Sequence, residues 1–442
     1  MNRLTRPLQV SSSPYFIIWC LLASFGTYFC MYAFRKPLST GVYVEYQLFG
    51  IGYKTILIIT QVLGYMTSKY IGIKVISELR PAVRIRLIVS LILISEVALL
   101  LFGLVPYPYN FFVLFFNGLP LGMVWGVVFS FLEGRRYTEM LSIGLNISII
   151  AASGILKTIY FGVHGWLPAI SEFWMPFTMG ILFLPLFCLF VWMLSVIPAP
   201  TEADKLLRTE RVPMTKADKS FVFKNYGWGL MSIVVMYILL ATMRDFRDNF
   251  SVEIWNEIDT HWQKTVLAQT EIITTVIVLL AIASLSLIRS NIKGFWTSLG
   301  IIAFGVLLSG GSSWLFQLKL IKGFTWMLLV GTGLFLAYVP IQVALFERMI
   351  GLFKIKANAG FFVYICDALG YSGSVAILFY KEFFAKDISW SNMLIRFSYL
   401  LSVFSAILIF IAMVFFWRKQ KRITNYELRI SNFDTPVVST RL

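Results

Sequence analysis

The stretch Tyr15–Pro37, YFIIWCLLASFGTYFCMYAFRKP, is apolar enough to cross a bilayer, yet it runs into two adjacent cations, Arg35 and Lys36. About 210 residues later the pattern returns, as expected of equivalent positions in two repeats. There WGLMSIVVMYILLATMRDFRDN, Trp228–Asn249, carries Arg244 near its end. A cation inside hydrocarbon costs about 2.5–3.5 kcal/mol even on the lenient insertion scale, so it usually marks a functional site.

The surrounding composition agrees with a membrane chain: 58% hydrophobic residues, 14% charged, and a mean hydropathy of +0.78. Stretches long enough to cross ~30 Å of hydrocarbon recur throughout. We place twelve predicted spans at 15–37, 52–76, 86–105, 110–132, 139–162, 174–198, 226–248, 265–288, 295–315, 323–346, 357–380 and 393–417. Short connections make neighbouring spans antiparallel and exclude a large soluble domain. The expected fold class is an all-α polytopic membrane protein.

The net charge of +16 first suggests a polyanion partner. With both termini inside, however, about 24 of the 38 Lys and Arg fall in cytoplasmic segments and about 5 in the opposite loops, the positive-inside asymmetry. The outer segment after span 7 carries Glu253, Glu257 and Asp259. The basic excess therefore reads as topology, N-in and C-in, and no nucleic-acid partner is expected. The four cysteines, Cys20, Cys30, Cys188 and Cys366, all fall in predicted spans and imply packing rather than disulfides. The N-terminal residues lack a cleavable signal, so span 1 is expected to be retained.

Residues 199–225 form the one long polar connection and divide the chain into two six-span halves. Segment 1–198 is expected to be the N-terminal six-helix bundle, 199–225 a cytoplasmic linker, 226–417 the C-terminal bundle and 418–442 a cytoplasmic tail. Two such bundles are the architecture of the major facilitator superfamily (the MFS fold), with a substrate site near the midplane between them. Gly118, Gly122 and Gly126 lie four apart on one face of span 4 and suit close helix packing.

The charged residues assigned to spans are Arg35, Lys36, Lys54, Lys69, Lys74, Glu96, Lys157, Arg244, Asp245, Arg247, Asp248, Glu271 and Asp367. Cations outnumber anions, so a cavity they line attracts a small anionic solute. Arginine is the informative choice, because its planar fork makes paired hydrogen bonds to phosphate or carboxylate and stays charged. Arg244 and Asp248 share a helix face at i, i+4 and are expected to pair when the site is empty. Asp245 and Arg247 are expected to point elsewhere and neutralise each other near the interface. Lys54 and Lys74, near the two ends of span 2, are expected to snorkel. Glu96, Lys157 and Asp367 gain no partner from sequence, and Glu96 and Asp367 are candidates for a protonating or a structural role. His164 and His261 fall in predicted outer loops, and no metal-ligand spacing, nucleophile elbow or phosphate-cradling loop is found. No metal site, no cofactor and no enzymatic activity are expected.

The segment Tyr28–Pro37, YFCMYAFRKP, resembles the first-helix signature of the organophosphate:phosphate antiporter family, typified by the glycerol-3-phosphate and hexose-6-phosphate exchangers. The resemblance implies that Tyr28, Tyr32 and Arg35 contact substrate and that Lys36 belongs to a gating salt-bridge network with Asp248 and Glu271. Gly64–Ile71, GYMTSKYI, is similar to the family's helix-2 segment and carries a cavity lysine onto Lys69. Arg244 corresponds to the helix-7 phosphate-binding arginine and Glu271 to the helix-8 glutamate. Asp248 lies one residue short of the family's aspartate. The family's helix-5 histidine falls on Ile149, three after Asn146, and this departure makes the chain resemble a divergent branch.

The function expected from this is a secondary transporter that moves a small anionic, phosphorylated metabolite by alternating access, in exchange for inorganic phosphate. The alternatives are a proton-coupled carrier of a carboxylate, sugar acid or cell-wall fragment, and a transporter-like receptor for a phosphorylated sugar. The expected setting is a bacterial inner (plasma) membrane, as a monomer whose other contacts are membrane lipids.

Overall fold

The structure, a computed structural model, describes residues 14–77, 79–132, 138–199, 215–355, 357 and 359–433. Twelve long helices are found among them: Pro14–Ala33, Tyr53–Ser77, Arg84–Leu104, Val113–Leu132, Thr138–Trp166, Met175–Ser195, Lys216–Asn249, Val266–Ser286, Asn291–Gln317, Gly323–Pro340, Ala359–Phe383 and Trp390–Phe433. They are called spans 1 to 12 below. Eleven are long and apolar enough to cross a membrane. The exception is span 2, which carries Lys54, Lys69 and Lys74. At ~1.5 Å per residue its 25 residues still reach across the hydrocarbon.

Spans 1–6 pack chiefly among themselves, as do spans 7–12. Each major pairing in the first set recurs six spans later: 1 with 5 as 7 with 11, 1 with 6 as 7 with 12, 2 with 4 as 8 with 10, 3 with 4 as 9 with 10, and 3 with 6 as 9 with 12. The sets meet along span 5 against span 8 and span 2 against span 11. This is the two-bundle arrangement expected of the MFS fold. The crossing of spans 2 and 4 rests on glycine: a Cβ on Gly118 would lie 2.0 Å from the Gln61 carbonyl oxygen, and one on Gly64 2.2 Å from that of Phe115. Only hydrogen fits at those backbone approaches.

Several boundaries differ from those read in the sequence. Span 1 ends at Ala33, and a short second helix, Lys36–Thr40, carries Pro37 in its first turn. Proline supplies no N–H to an incoming helix, so the break falls around Arg35. Span 10 continues past Pro340 through a π-helical segment, Ile341–Leu345, into Phe346–Phe353. Span 7 begins at Lys216 behind a Thr215–Asp218 capping box, so 216–225 are helical rather than linker. Residues 200–214 of that connection lie outside the described residues. Span 12 continues to Phe433, and the basic cluster 418–422 is therefore helical. His164 lies in the last turn of span 5 rather than in a loop.

Candidate functional site

The helix break in span 1 creates the site. It frees two carbonyl groups that a buried chain must satisfy elsewhere. Asn117 of span 4 donates its amide to the Phe34 carbonyl at 3.1 Å, and Gln61 of span 2 donates to the Arg35 carbonyl at 3.5 Å. Gln61 also donates to Asn117 Oδ1 at 2.7 Å, and Asn117 reaches the Ser95 hydroxyl at 2.7 Å. Three helices thus fix the backbone from which Arg35 projects.

Arg35 is 4% exposed. Its guanidinium lies over the Tyr65 ring, 4.1 Å from the centroid, with the Tyr371 ring at 5.9 Å. Among the described residues no carboxylate lies within ion-pair distance of it. Arg244, from the opposite bundle, is also buried. It holds Asp245 Oδ1 through Nη2 at 2.9 Å and Nε at 3.1 Å, and it donates to the Tyr338 hydroxyl. The Tyr371 ring lies 6.0 Å from Arg244, so one tyrosine of span 11 stands between the two arginines.

The remaining charges pair differently from the sequence reading. Asp248 does not take Arg244. It accepts from Lys36, from Lys157 at 3.0 Å and from the Ser153 hydroxyl. Lys36 and Lys157 of the opposite bundle take Asp248, and Arg244 is left with Asp245. Asp245 and Arg247 therefore do not neutralise each other at the interface; both are buried. Arg247 pairs with Glu271 at 2.8 Å, so Glu271 is held by span 7 rather than by Lys36. Gly331 makes room for Arg247, since a Cβ there would lie 2.5 Å from its Nη2. Lys54 does not snorkel: it is 5% exposed and pairs with Glu253 of the short helix Ser251–Ile258 at 2.5 Å. Lys74 is exposed, as expected at a helix end.

Asp367 has found partners too. Lys69 reaches it across the bundles at 3.1 Å, Tyr237 donates to it, and Gln342 donates at 3.2 Å. Gln342 also contacts the Tyr237 and Tyr338 hydroxyls at 2.6 and 2.9 Å, and the two hydroxyls lie 2.8 Å apart, Tyr237 accepting there because its one proton goes to Asp367. A continuous chain of hydrogen bonds therefore runs from Lys69 through Asp367, Tyr237 and Tyr338 to Arg244. Gln342 lies in the π-helical segment of span 10, a deformation that recurs at functional sites.

A polar cavity separates the bundles, with Arg35, Lys36 and Tyr32 on one wall and Arg244, Asp245, Arg247, Asp248 and Glu271 on the other. Ser153, Ile149, Ile150 and Phe335 complete it, so Ile149 faces the site as part of an apolar wall. The free space is about 20 Å³, room for a water or two in this arrangement. Tyr28 and Lys69 lie one layer back, against Tyr65: the Tyr28 hydroxyl is 3.4 Å from that of Tyr65, and Lys69 Nζ is 5.6 Å from its ring centroid. Glu96 takes no part. It is 5% exposed within the N-terminal bundle, against Gly180 of span 6, and neither carboxyl oxygen has a hydrogen-bond partner among the described residues.

Sequence reasoning missed Tyr65, Tyr237, Tyr338, Tyr371, Gln342 and Ser153. Tyrosine and glutamine in apolar runs gave no charge signal, although a buried hydroxyl or amide needs a partner as surely as an ion does. Among the described residues no group of three His, Cys, Asp or Glu is arranged to hold a metal.

Five buried cations, Arg35, Lys36, Lys157, Arg244 and Arg247, face three carboxylates, Asp245, Asp248 and Glu271. The cluster carries an excess of two positive charges. Chemically, it can hold an oxyanion between two arginine forks, with tyrosine hydroxyls as further donors.

The fold has solved counterparts. A nucleoside transporter, NupG, superposes with a TM-score of 0.57 at 15% identity, covering 90% of this chain and 98% of that one. The POT family transporter PepTSo gives 0.59 at 12%, covering 93% and 99%. A D-xylose-proton symporter gives 0.55 at 15%, covering 89% and 97%. At these identities the likeness establishes the fold, that of an integral membrane protein, and not the substrate. No curated protein matches the sequence. A family model does match, over residues 37–419, and on that match the chain belongs to the family of unknown function DUF5690.

Proposed function

We propose that the chain is a secondary transporter for a small anionic, phosphorylated solute, working by alternating access and exchanging it for inorganic phosphate. The observation that carries this reading is Arg35: a buried guanidinium facing the inter-bundle cavity with no carboxylate of its own, opposite a second arginine. A buried unpaired cation is costly, and a dianionic solute supplies the missing charge.

The gate follows from the pairs. Lys36 and Lys157 of one bundle share Asp248 of the other, and Lys54 holds Glu253. With the termini placed inside, these contacts lie at the outer end of the bundles and keep that end closed. Solute that draws Lys36 toward itself weakens the hold on Asp248, and the bundles can then rock.

A second reading, a proton-coupled anion carrier, is favoured by the Lys69–Asp367 pair, which joins the bundles through a carboxylate within the membrane. Counterflow separates the two. Radiolabelled phosphate should enter phosphate-loaded proteoliposomes without an imposed proton gradient. Uptake that depends on a proton gradient and shows no exchange supports the second reading. Phosphate binding without any flux points to a receptor and overturns both.

A further inference from the structure

Beside the central cavity lies a second one, walled by Lys157, Arg247, Ser251, Thr270, Leu267 and Trp255. Ser153, Arg247, Asp248 and Glu271 border both cavities, so the two carboxylates form the partition. The second cavity lies toward the end of the bundles capped by the short helix Ser251–Ile258, from which Ser251 and the buried Trp255 project.

Its donors are those of an oxyanion site. Lys157 is 1% exposed, and the single carboxylate it contacts is shared with Lys36. Its Nζ also meets the Ser251 hydroxyl at 2.7 Å and the Asp248 backbone carbonyl, so its three donors are engaged while its charge is only half countered. Arg247 is 4% exposed; it spends Nη1 on Glu271 and Nη2 on the Met327 carbonyl, while its buried Nε has no hydrogen-bond partner among the described residues. An unused guanidinium donor beside a lysine with half a counter-ion is an unmet demand for negative charge. The floor is tight because span 5 meets span 8 at Gly154, where a Cβ would lie 2.1 Å from the Leu267 carbonyl oxygen. Phosphate and carboxylate groups share the geometry this donor set accepts; the free space is about 10 Å³ in the present arrangement, so such a group enters as the Asp248 carboxylate, which accepts from the same Lys157, moves away.

We propose that this second cavity is an anion subsite of its own, formed by Lys157, Arg247 and Ser251, and that it is occupied by a phosphate-type oxyanion between the central arginines and the outer solution. The proposal rests on the anion-transport reading. Asp248 and Glu271 are placeholders in it: each leaves a cation when the solute arrives and returns when the solute has gone. Two positions in series let one anion enter before the other has left, which suits exchange.

Equilibrium dialysis of the purified full chain in lipid nanodiscs against radiolabelled orthophosphate tests it, with circular dichroism melting as the control for folding. The wild type should bind two phosphates per chain at saturation. Lys157→Gln, which leaves the Lys36–Asp248 pair in place, should weaken one site at least tenfold; adding Arg247→Gln should abolish it. Arg35→Gln should abolish the other. A single phosphate per chain, lost in Arg35→Gln and unmoved by Lys157→Gln, overturns the subsite and leaves the transport reading standing. Two bound phosphates that both survive the Lys157 and Arg247 changes also overturn it. Absence of any phosphate binding to the folded wild type overturns the transport reading and the subsite with it.

Discussion

Asp248→Asn should unlock one end of the protein. In the structure this carboxylate accepts from Lys36 and Lys157, which are 3% and 1% exposed. Asparagine keeps the shape and loses the charge, so two buried ammonium groups are left facing each other with no anion. Removing one partner of a buried pair costs roughly 3–5 kcal/mol. That cost falls on the closed arrangement, because the pairs join opposite bundles. At about 1.36 kcal/mol per decade it is worth two to nearly four powers of ten in the opening equilibrium. The assay is labelling of a cysteine at Ile150, which lines the central cavity, by a membrane-impermeant maleimide added outside. Cys188, the exposed native cysteine among the four, would first be changed to serine. Labelling should be at least tenfold faster in Asp248→Asn than in the parent. Lys36→Met alone should be milder, because Lys157 then has the carboxylate to itself. Equal labelling rates in Asp248→Asn and parent, at matched expression, would refute the gate.

Three further changes probe the site and its support. Arg35→Lys and Arg244→Lys should each abolish phosphate counterflow while membrane insertion, followed by protease protection, is kept; lysine retains the charge and loses the fork. Asn117→Ala should lower the melting temperature by the equivalent of about 1–3 kcal/mol, since the Phe34 and Ser95 carbonyls and the Gln61 amide lose a buried partner. It should reduce transport by more than that loss of stability explains, because Arg35 is set by the same break. Gly118→Ala should cost about 1–3 kcal/mol by forcing apart spans 2 and 4, seen as a lower melting temperature with the helical content unchanged.

The two-bundle fold was legible because it is written in quantities that sequence carries directly: the length of apolar runs, the bias of Lys and Arg between loops, and one long polar connection. Span 2 falls where the sequence places it, although it is the one long helix among the described residues not apolar enough to pass as a membrane span by length and composition alone. Its three lysines depress its apolarity, yet each has a reason to be there: Lys54 and Lys69 reach across to the other bundle and Lys74 reaches the surface. The charged residues of the site were legible for the same reason that they are costly. Their pairing was not. In the run Arg244-Asp245-Phe246-Arg247-Asp248, helical spacing favours Arg244 with Asp248, but the choice is made by what stands opposite. Lys36 and Lys157 claim Asp248 from the other bundle, Glu271 claims Arg247 from span 8, and Asp245 remains for Arg244.

The tyrosines carry this one step further. A guanidinium without a carboxylate is tolerated at Arg35 because the Tyr65 ring presents its negative face at 4.1 Å. That contact stabilises a cation less than an ion pair does and leaves the fork's donors unspent. Tyr371, on the same bundle as Arg244, stands equally close to both arginines, so movement between the bundles shifts its ring relative to Arg35. Lys69 and Asp367 tie span 11 to span 2, and Tyr237, Tyr338 and Gln342 tie Asp367 to Arg244. Binding at the arginines and closure between the bundles therefore act on the same side chains. On the proposed function, a solute that displaces Tyr338 from Arg244 should loosen the chain of hydrogen bonds that reaches Asp367 through Tyr237, and with it the Lys69–Asp367 contact between the bundles.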